Sequence, residues 1–359
     1  MRLKLLVALF VFVPSLLFAQ APRVSVAPWN NHAAALSLTF DDGLAVHLDV
    51  AGPALDVRGL KGTFYLTVDQ LTRMNDWKKL AAEGHELGNH SVTHEEPSIL
   101  NDATVDVEVL QAKYFLENNF GGDISDYAYP FGYYDARLRS KVEENNFIAR
   151  TIEFISGTEG KDYYVYTNGP VDWYDIPAHE AGLVCDDDKT RTCDESTYKD
   201  WIEAAIAKKA WTTIFMHGIG DPKTGFNPIP VDKFNYLLDY AAGEKGVLWV
   251  APFKEIGAYL RGQKSFEAAR VVTDGETTTY GWDLPENMPS GATIKIKISS
   301  PGDWIVTQGE KLIWTDSDGL YVIVLANKQA TFARLTDVGS APQSQHKRDP
   351  RSKAVVFRP

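Results

Sequence analysis

Between Ala33 and Leu260 apolar runs of strand length alternate with stretches of helical spacing, over about 230 residues. Strands are expected at Ala33–Phe40, Lys61–Thr67, His85–Asn89, Asp126–Tyr129, Phe147–Thr151, Trp211–Met216 and Val247–Val250. Helices are expected at Leu44–Val57, Asp76–Glu83, Asp102–Asn118, Asp135–Asn145, Glu195–Lys209, Val231–Ala242 and Phe253–Leu260. In Asp102–Asn118 the apolar row is Val105, Val109, Ala112 and Leu116. Such alternation predicts an α/β fold, with parallel strands inside and helices packed outside. The length suits a closed or nearly closed β/α barrel, whose reactive groups gather at the C-terminal ends of the strands.

The pattern changes near Ser265. Short runs such as Thr293-Ile294-Lys295-Ile296-Lys297-Ile298 alternate at period two and are split by Gly, Pro, Asp and Asn, which predicts a small antiparallel β-sandwich. The expected division is 28–264 for the barrel, 265–337 for the sandwich and 338–359 for a disordered tail. At the other end, Arg2 and Lys4 precede an apolar run from Leu5 to Phe18. That run is short for a membrane span and reads as an export signal, residues 1–19, leaving no span after cleavage. Export means the periplasm or the cell exterior. The net charge of -12 argues against a nucleic-acid partner or an anionic membrane surface.

The 2 cysteines, Cys185 and Cys193, flank an acidic loop. In an oxidising compartment a local disulfide is expected; two thiolate ligands, or calcium on the aspartates, are the rival readings.

Reactive side chains fall just after four separate strand candidates. Asp41-Asp42 follows the first, and His90, with His94 four residues on, follows the third. Pro130-Phe131 and His217 follow two others. Carboxylate and neutral imidazole are ordinary ligands of zinc and its neighbours, so these strand ends predict one divalent metal site.

Thr39-Phe40-Asp41-Asp42-Gly43, the run Gly84 to His94 (GHELGNHSVTH), Tyr129-Pro130-Phe131-Gly132 and Ile214-Phe215-Met216-His217 occur in this order. They resemble the motifs of the NodB-homology polysaccharide deacetylases, carbohydrate esterase family four. The resemblance implies an irregular (β/α) barrel and metal-dependent removal of acetyl groups from a glycan or oligosaccharide. It implies Asp42, His90 and His94 as metal ligands, Asp41 as general base and His217 as general acid. It also implies the Phe131 amide, in the Pro130-Phe131 turn, as an oxyanion donor. Zn2+ is the expected ion, with Co2+, Mn2+ or Ni2+ as alternatives.

Two motifs depart from the family pattern. Many members have an arginine, which braces the base, where this chain has Ala128; Arg150 is the candidate replacement. The pair that usually tunes the acid is blurred, with Asp172, Trp173 and Asp175 as candidates. Tyr133 or Trp173 is expected to touch the sugar, since aromatic faces stack on such rings. His85 is expected to be structural, His32 and His47 to be surface or capping residues, and His179 to be a possible cleft residue. An O-acetyl esterase acting on xylan and an inactive carbohydrate-binding barrel are the competing functions. Retention of both Asp41 and His217 argues against the second.

Overall fold

The computed structural model describes residues 21–152, 162–169, 171–184 and 192–335. The expected signal, the tail and Cys185 lie outside the described residues. Among the described residues no helix is long and apolar enough to cross a membrane.

The central sheet is built from β2 (Ala34–Phe40), β3 (Thr63–Leu66), β4 (Glu86–Asn89), β5 (Asp126–Ala128) and β6 (Ile148–Arg150). It is completed by β7 (Tyr164–Tyr166), β8 (His179–Glu180), β9 (Ala210–Met216) and β10 (Leu248–Val250). The order is β6-β5-β4-β3-β2-β9-β7, with β10 on β2 and β8 on β9. All pairings are parallel except β7 with β9.

The sheet is curled, and helices cover its outside. Every residue of β2 is buried, as expected of a parallel strand covered on both faces. Leu36, Leu38 and Phe40 pack with Ile202, Leu237 and Leu238 from the helices. On the inner face Ser37 Oγ accepts a 3.1 Å bond from Trp211 Nε1. Trp173 to Glu180 spans the gap between the sheet's two ends. The Trp173 carbonyl accepts from Ala149 N (2.8 Å), Ile176 pairs with Arg150, and His179 pairs with Ile214.

Two antiparallel sheets follow. One has the order β11 (Arg270–Asp274), β12 (Thr277–Gly281), β17 (Gln329–Arg334), β14 (Trp304–Gln308) and β15 (Lys311–Ile313). The other is β1 (Val24–Val26), β13 (Thr293–Ile298) and β16 (Tyr321–Val324). Gln308 ties them, donating to the Val324 carbonyl (2.9 Å) and accepting from Val324 N (2.9 Å).

Two strands here were not expected: β1, from before the barrel, and β17, at the centre of its sheet. The division at residue 264 is also crossed, because the helix Phe253–Glu267 runs through it. Its Tyr259 hydroxyl donates to Ala27 O (2.5 Å) and accepts from Lys295 N (3.2 Å). Gly262 allows that helix to close on the sandwich, since a Cβ there would lie 2.1 Å from Leu325 Cδ1.

Charged groups gather at the opposite end of the strands from the reactive rim. Glu86 accepts from Thr63 Oγ1 (2.9 Å) and Lys254 N (3.0 Å), and Lys254 Nζ lies 3.3 Å from Asp126 Oδ1. Burial first, then the neighbouring Asp126 charge, pushes the Glu86 carboxyl up to about 8. A carboxyl whose folded value lies above its unfolded one favours the fold only while protonated. Stability from this group is therefore full below the ordinary glutamate range and is lost as pH rises through about 8. Denaturant midpoints should fall over that window, and Glu86→Gln should flatten the slope. Parallel pH profiles for the two proteins would contradict this assignment.

Candidate active site

Parallel register brings the C-terminal ends of β2, β4, β5, β6 and β9 to one rim. Asp41 and Asp42 follow β2, with Asp42 held at a left-handed φ of 79°. Its Oδ1 lies 3.6 Å from His90 Nε2 and 3.6 Å from His94 Nε2. One ligand atom from each of the three residues lies within 4.8 Å of the others.

His90 is 1% exposed, and its Nδ1 bonds the Ala128 carbonyl at 2.8 Å. That bond places the proton on Nδ1 and leaves the Nε2 lone pair facing Asp42. Burial drives the His90 imidazole down to about 4, against the raising effect of Asp41 and Asp42, so the ring is neutral near pH 7. Two imidazoles and a carboxylate, converging from two loops, fit a divalent cation.

Asp41 is buried, and Arg150 Nη2 donates to both of its oxygens, at 2.6 and 2.5 Å. Desolvation raises the Asp41 carboxyl, but Arg150 and then His90 and His217 outweigh it, and the net shift is downward. The Arg150 guanidinium lies over the rings of Phe215 (4.6 Å) and Tyr65 (5.2 Å), which fixes its plane. Arg150, the candidate replacement for the cation missing at Ala128, is thus the guanidinium paired with Asp41.

His217 follows β9. Its carbonyl accepts from His47 Nε2 at 2.8 Å, and its Nδ1 lies 3.8 Å from Glu180 Oε1. Glu180 in turn accepts from Asn227 Nδ2 at 3.0 Å. Pro130 is buried, whereas Phe131 is 45% exposed at a left-handed φ of 56°, its ring edge-on to His94 at 4.6 Å. Phe226, 68% exposed, sets its ring edge-on to His217 at 5.3 Å. Two exposed aromatic rings thus stand beside opposite members of the reactive set. Tyr133 is exposed next to the Phe131 turn.

Several expectations need correction. Asp172 does not reach His217; it makes a two-pronged pair with Arg139, at 2.8 and 3.0 Å. Asp175 accepts from Thr151 Oγ1 at 2.7 Å. The Trp173 ring packs on Arg261, 5.1 Å from the guanidinium carbon, where the barrel meets the sandwich, not over the reactive rim. His47 is fully buried rather than at the surface. His179 stacks between Tyr163 (3.9 Å) and Trp201 (4.3 Å) instead of facing the cleft. His85 is structural as expected, bonded to Asp56 and to the Gly62 amide. Cys193 is buried beside the Glu180 carbonyl.

Glu180, His47 and Phe226 were not legible beforehand. A helical imidazole and a two-residue strand gave no signal of their own, and their roles exist only through contacts across the fold.

Residues 30–149 match the family described as polysaccharide deacetylase. Over 117 residues the chain is 32% identical to a chitin deacetylase of Arthroderma benhamiae, covering 30% of this chain and 31% of that protein. It is 25% identical over 296 residues to a gellan lyase of a Bacillus species, covering 76% of this chain but 11% of the lyase. The chain thus spans less than a third of the length of either curated relative, and a match to so small a part of the lyase carries no activity across. Among solved structures, a candidate polysaccharide deacetylase from Mycobacterium smegmatis shares the fold. It aligns with a TM-score of 0.52 and 17% identity, over 71% of this chain and 99% of that one. The curled parallel sheet is that of this family.

Proposed function

We propose, from the premise that this chain belongs to the polysaccharide deacetylase family, that it hydrolyses N-acetyl groups on the amino sugars of a glycan. Asp42, His90 and His94 would hold a divalent ion, zinc before cobalt, manganese or nickel. When bound, such an ion polarises an acyl carbonyl and lowers the pKa of water towards neutrality.

Asp41, kept ionised by Arg150, is placed to accept a proton as general base. His217, at the end of a different strand, is placed to donate a proton to the departing sugar nitrogen. Glu180 Oε1, 3.8 Å from its Nδ1, lies on the far side of the ring from that donation. The Phe131 turn offers a backbone amide to the developing oxyanion. The exposed faces of Phe131 and Phe226, with Tyr133 nearby, offer apolar surfaces for sugar rings.

The observation that carries this reading is the convergence on one rim of an Asp-His-His set, an arginine-braced aspartate and a lone histidine. Acetate release should be measured on chitin oligomers, peptidoglycan fragments and acetylated xylan, with and without chelator. We expect release from the N-acetylated substrates, abolished by chelation and restored by zinc or cobalt. Release from xylan alone would favour the O-acetyl esterase, and no release from any substrate would favour the inactive binding barrel.

The basic start and apolar run of residues 1–19 support export to the periplasm or beyond, where pairing of Cys185 with Cys193 would be stable.

A further inference from the structure

The loop between the two histidine ligands, Ser91 to Thr93, has no regular structure, and left-handed backbone is held at Ser91 (φ 69°) and, just after the loop, at His94 (φ 62°). Such backbone persists only where its surroundings over-determine it. Here much of the determination comes from one side chain. Glu108, 4% exposed, accepts the amides of Val92 and Thr93 on Oε2, both at 2.9 Å, and the Thr93 hydroxyl on Oε1 at 2.9 Å. Among the described residues no lysine or arginine forms an ion pair with it, so its nearest donors are those of the loop.

Glu108 is delivered by an irregularity in its helix. The stretch from Asp102 to Phe120 is α-helical at both ends but forms a π turn at Val107–Gln111. One inserted residue rotates the remainder of the helix by about 100° round its axis, and such insertions concentrate at functional sites. The same turn supplies the Val109 carbonyl, which accepts from Asn89 Nδ2 at 3.0 Å, while Asn89 Oδ1 accepts from Ser91 N at 2.9 Å. The amides of Ser91, Val92 and Thr93 are therefore all anchored, directly or through Asn89, to this one turn.

We propose that Glu108 is a positioning residue that holds the His90–His94 loop in its ligand-presenting shape before a metal arrives. The proposal rests on the metal-site reading above, and it makes metal affinity depend on a residue that touches no metal. Outer partners of this kind are typically worth about 10–100-fold in affinity.

The test compares chelator-stripped wild type, Glu108→Ala and Glu108→Gln. Zn2+ affinity is read by competition with a chromophoric chelator, and amide hydrogen exchange is read in the metal-free proteins. The alanine variant should bind zinc about 10–100-fold more weakly and lose protection at Val92 and Thr93, with β2 to β4 still protected. Glutamine should lose less, because its oxygen still accepts the amides while its NH2 can donate to Thr93 Oγ1. Should the alanine variant fail to fold, Thr93→Val, which removes one of the bonds, should give a smaller loss in the same direction. Undiminished zinc affinity in the folded variants would overturn the proposal. Failure of wild type to bind zinc would overturn the metal reading instead, and the exchange data would still report whether Glu108 orders the loop.

Discussion

Replacing Asp41 with asparagine should lower turnover by about 10²–10⁴-fold, the range lost with a general base, while one metal still binds per chain. Asparagine has nearly the same shape, but it cannot take up a proton. Its oxygen can still accept from Arg150, so the packing survives and the chemistry does not. Steady-state acetate release, together with metal analysis of the purified variant, checks both halves. Equal loss of metal and turnover would make Asp41 a ligand rather than the base.

Arg150→Met should destabilise the protein by about 3–5 kcal/mol, because removing one partner leaves the other as an uncompensated buried charge. Arg150 is 1% exposed and Asp41 3% exposed, so solvent screens little of the interaction. Without the guanidinium, less opposes desolvation and the Asp41 carboxyl moves upward. Chemical denaturation of metal-free protein reads the stability loss. The double variant Arg150→Met with Asp41→Asn should recover a good part of it. If the double variant is as unstable as the sum of the single losses, the pair is not coupled and the cost is one of packing alone.

The alternation of strands and helices made the barrel legible, because buried parallel strands read as apolar runs and the helices keep their own period. Asp42 and His90 were legible because each lies just after a strand, His94 because it follows His90 by four residues, and Arg150 because it ends the next strand but one. Asp172 and Trp173 were misplaced by proximity in sequence. The segment they begin runs parallel to β9 at its far end, so its later residue, Glu180, reaches the rim beside His217 while Trp173 stays at the barrel's side. β1 had only three residues to signal it, and it pairs with a strand some 270 residues away. β17 alternates correctly but with Ala and Arg, which carry little strand preference. Glu108 gave no signal because its meaning depends on a π turn and on a loop 15 residues earlier.

Calorimetric titration of Zn2+ into chelator-stripped protein, alongside His90→Ala, bears most directly on whether Asp42, His90 and His94 form one metal site. The expected outcome is a single saturable ion per wild-type chain and a loss of that binding phase in the variant. A wild type that takes up no zinc, or a folded His90→Ala protein that takes it up equally well, would contradict the account.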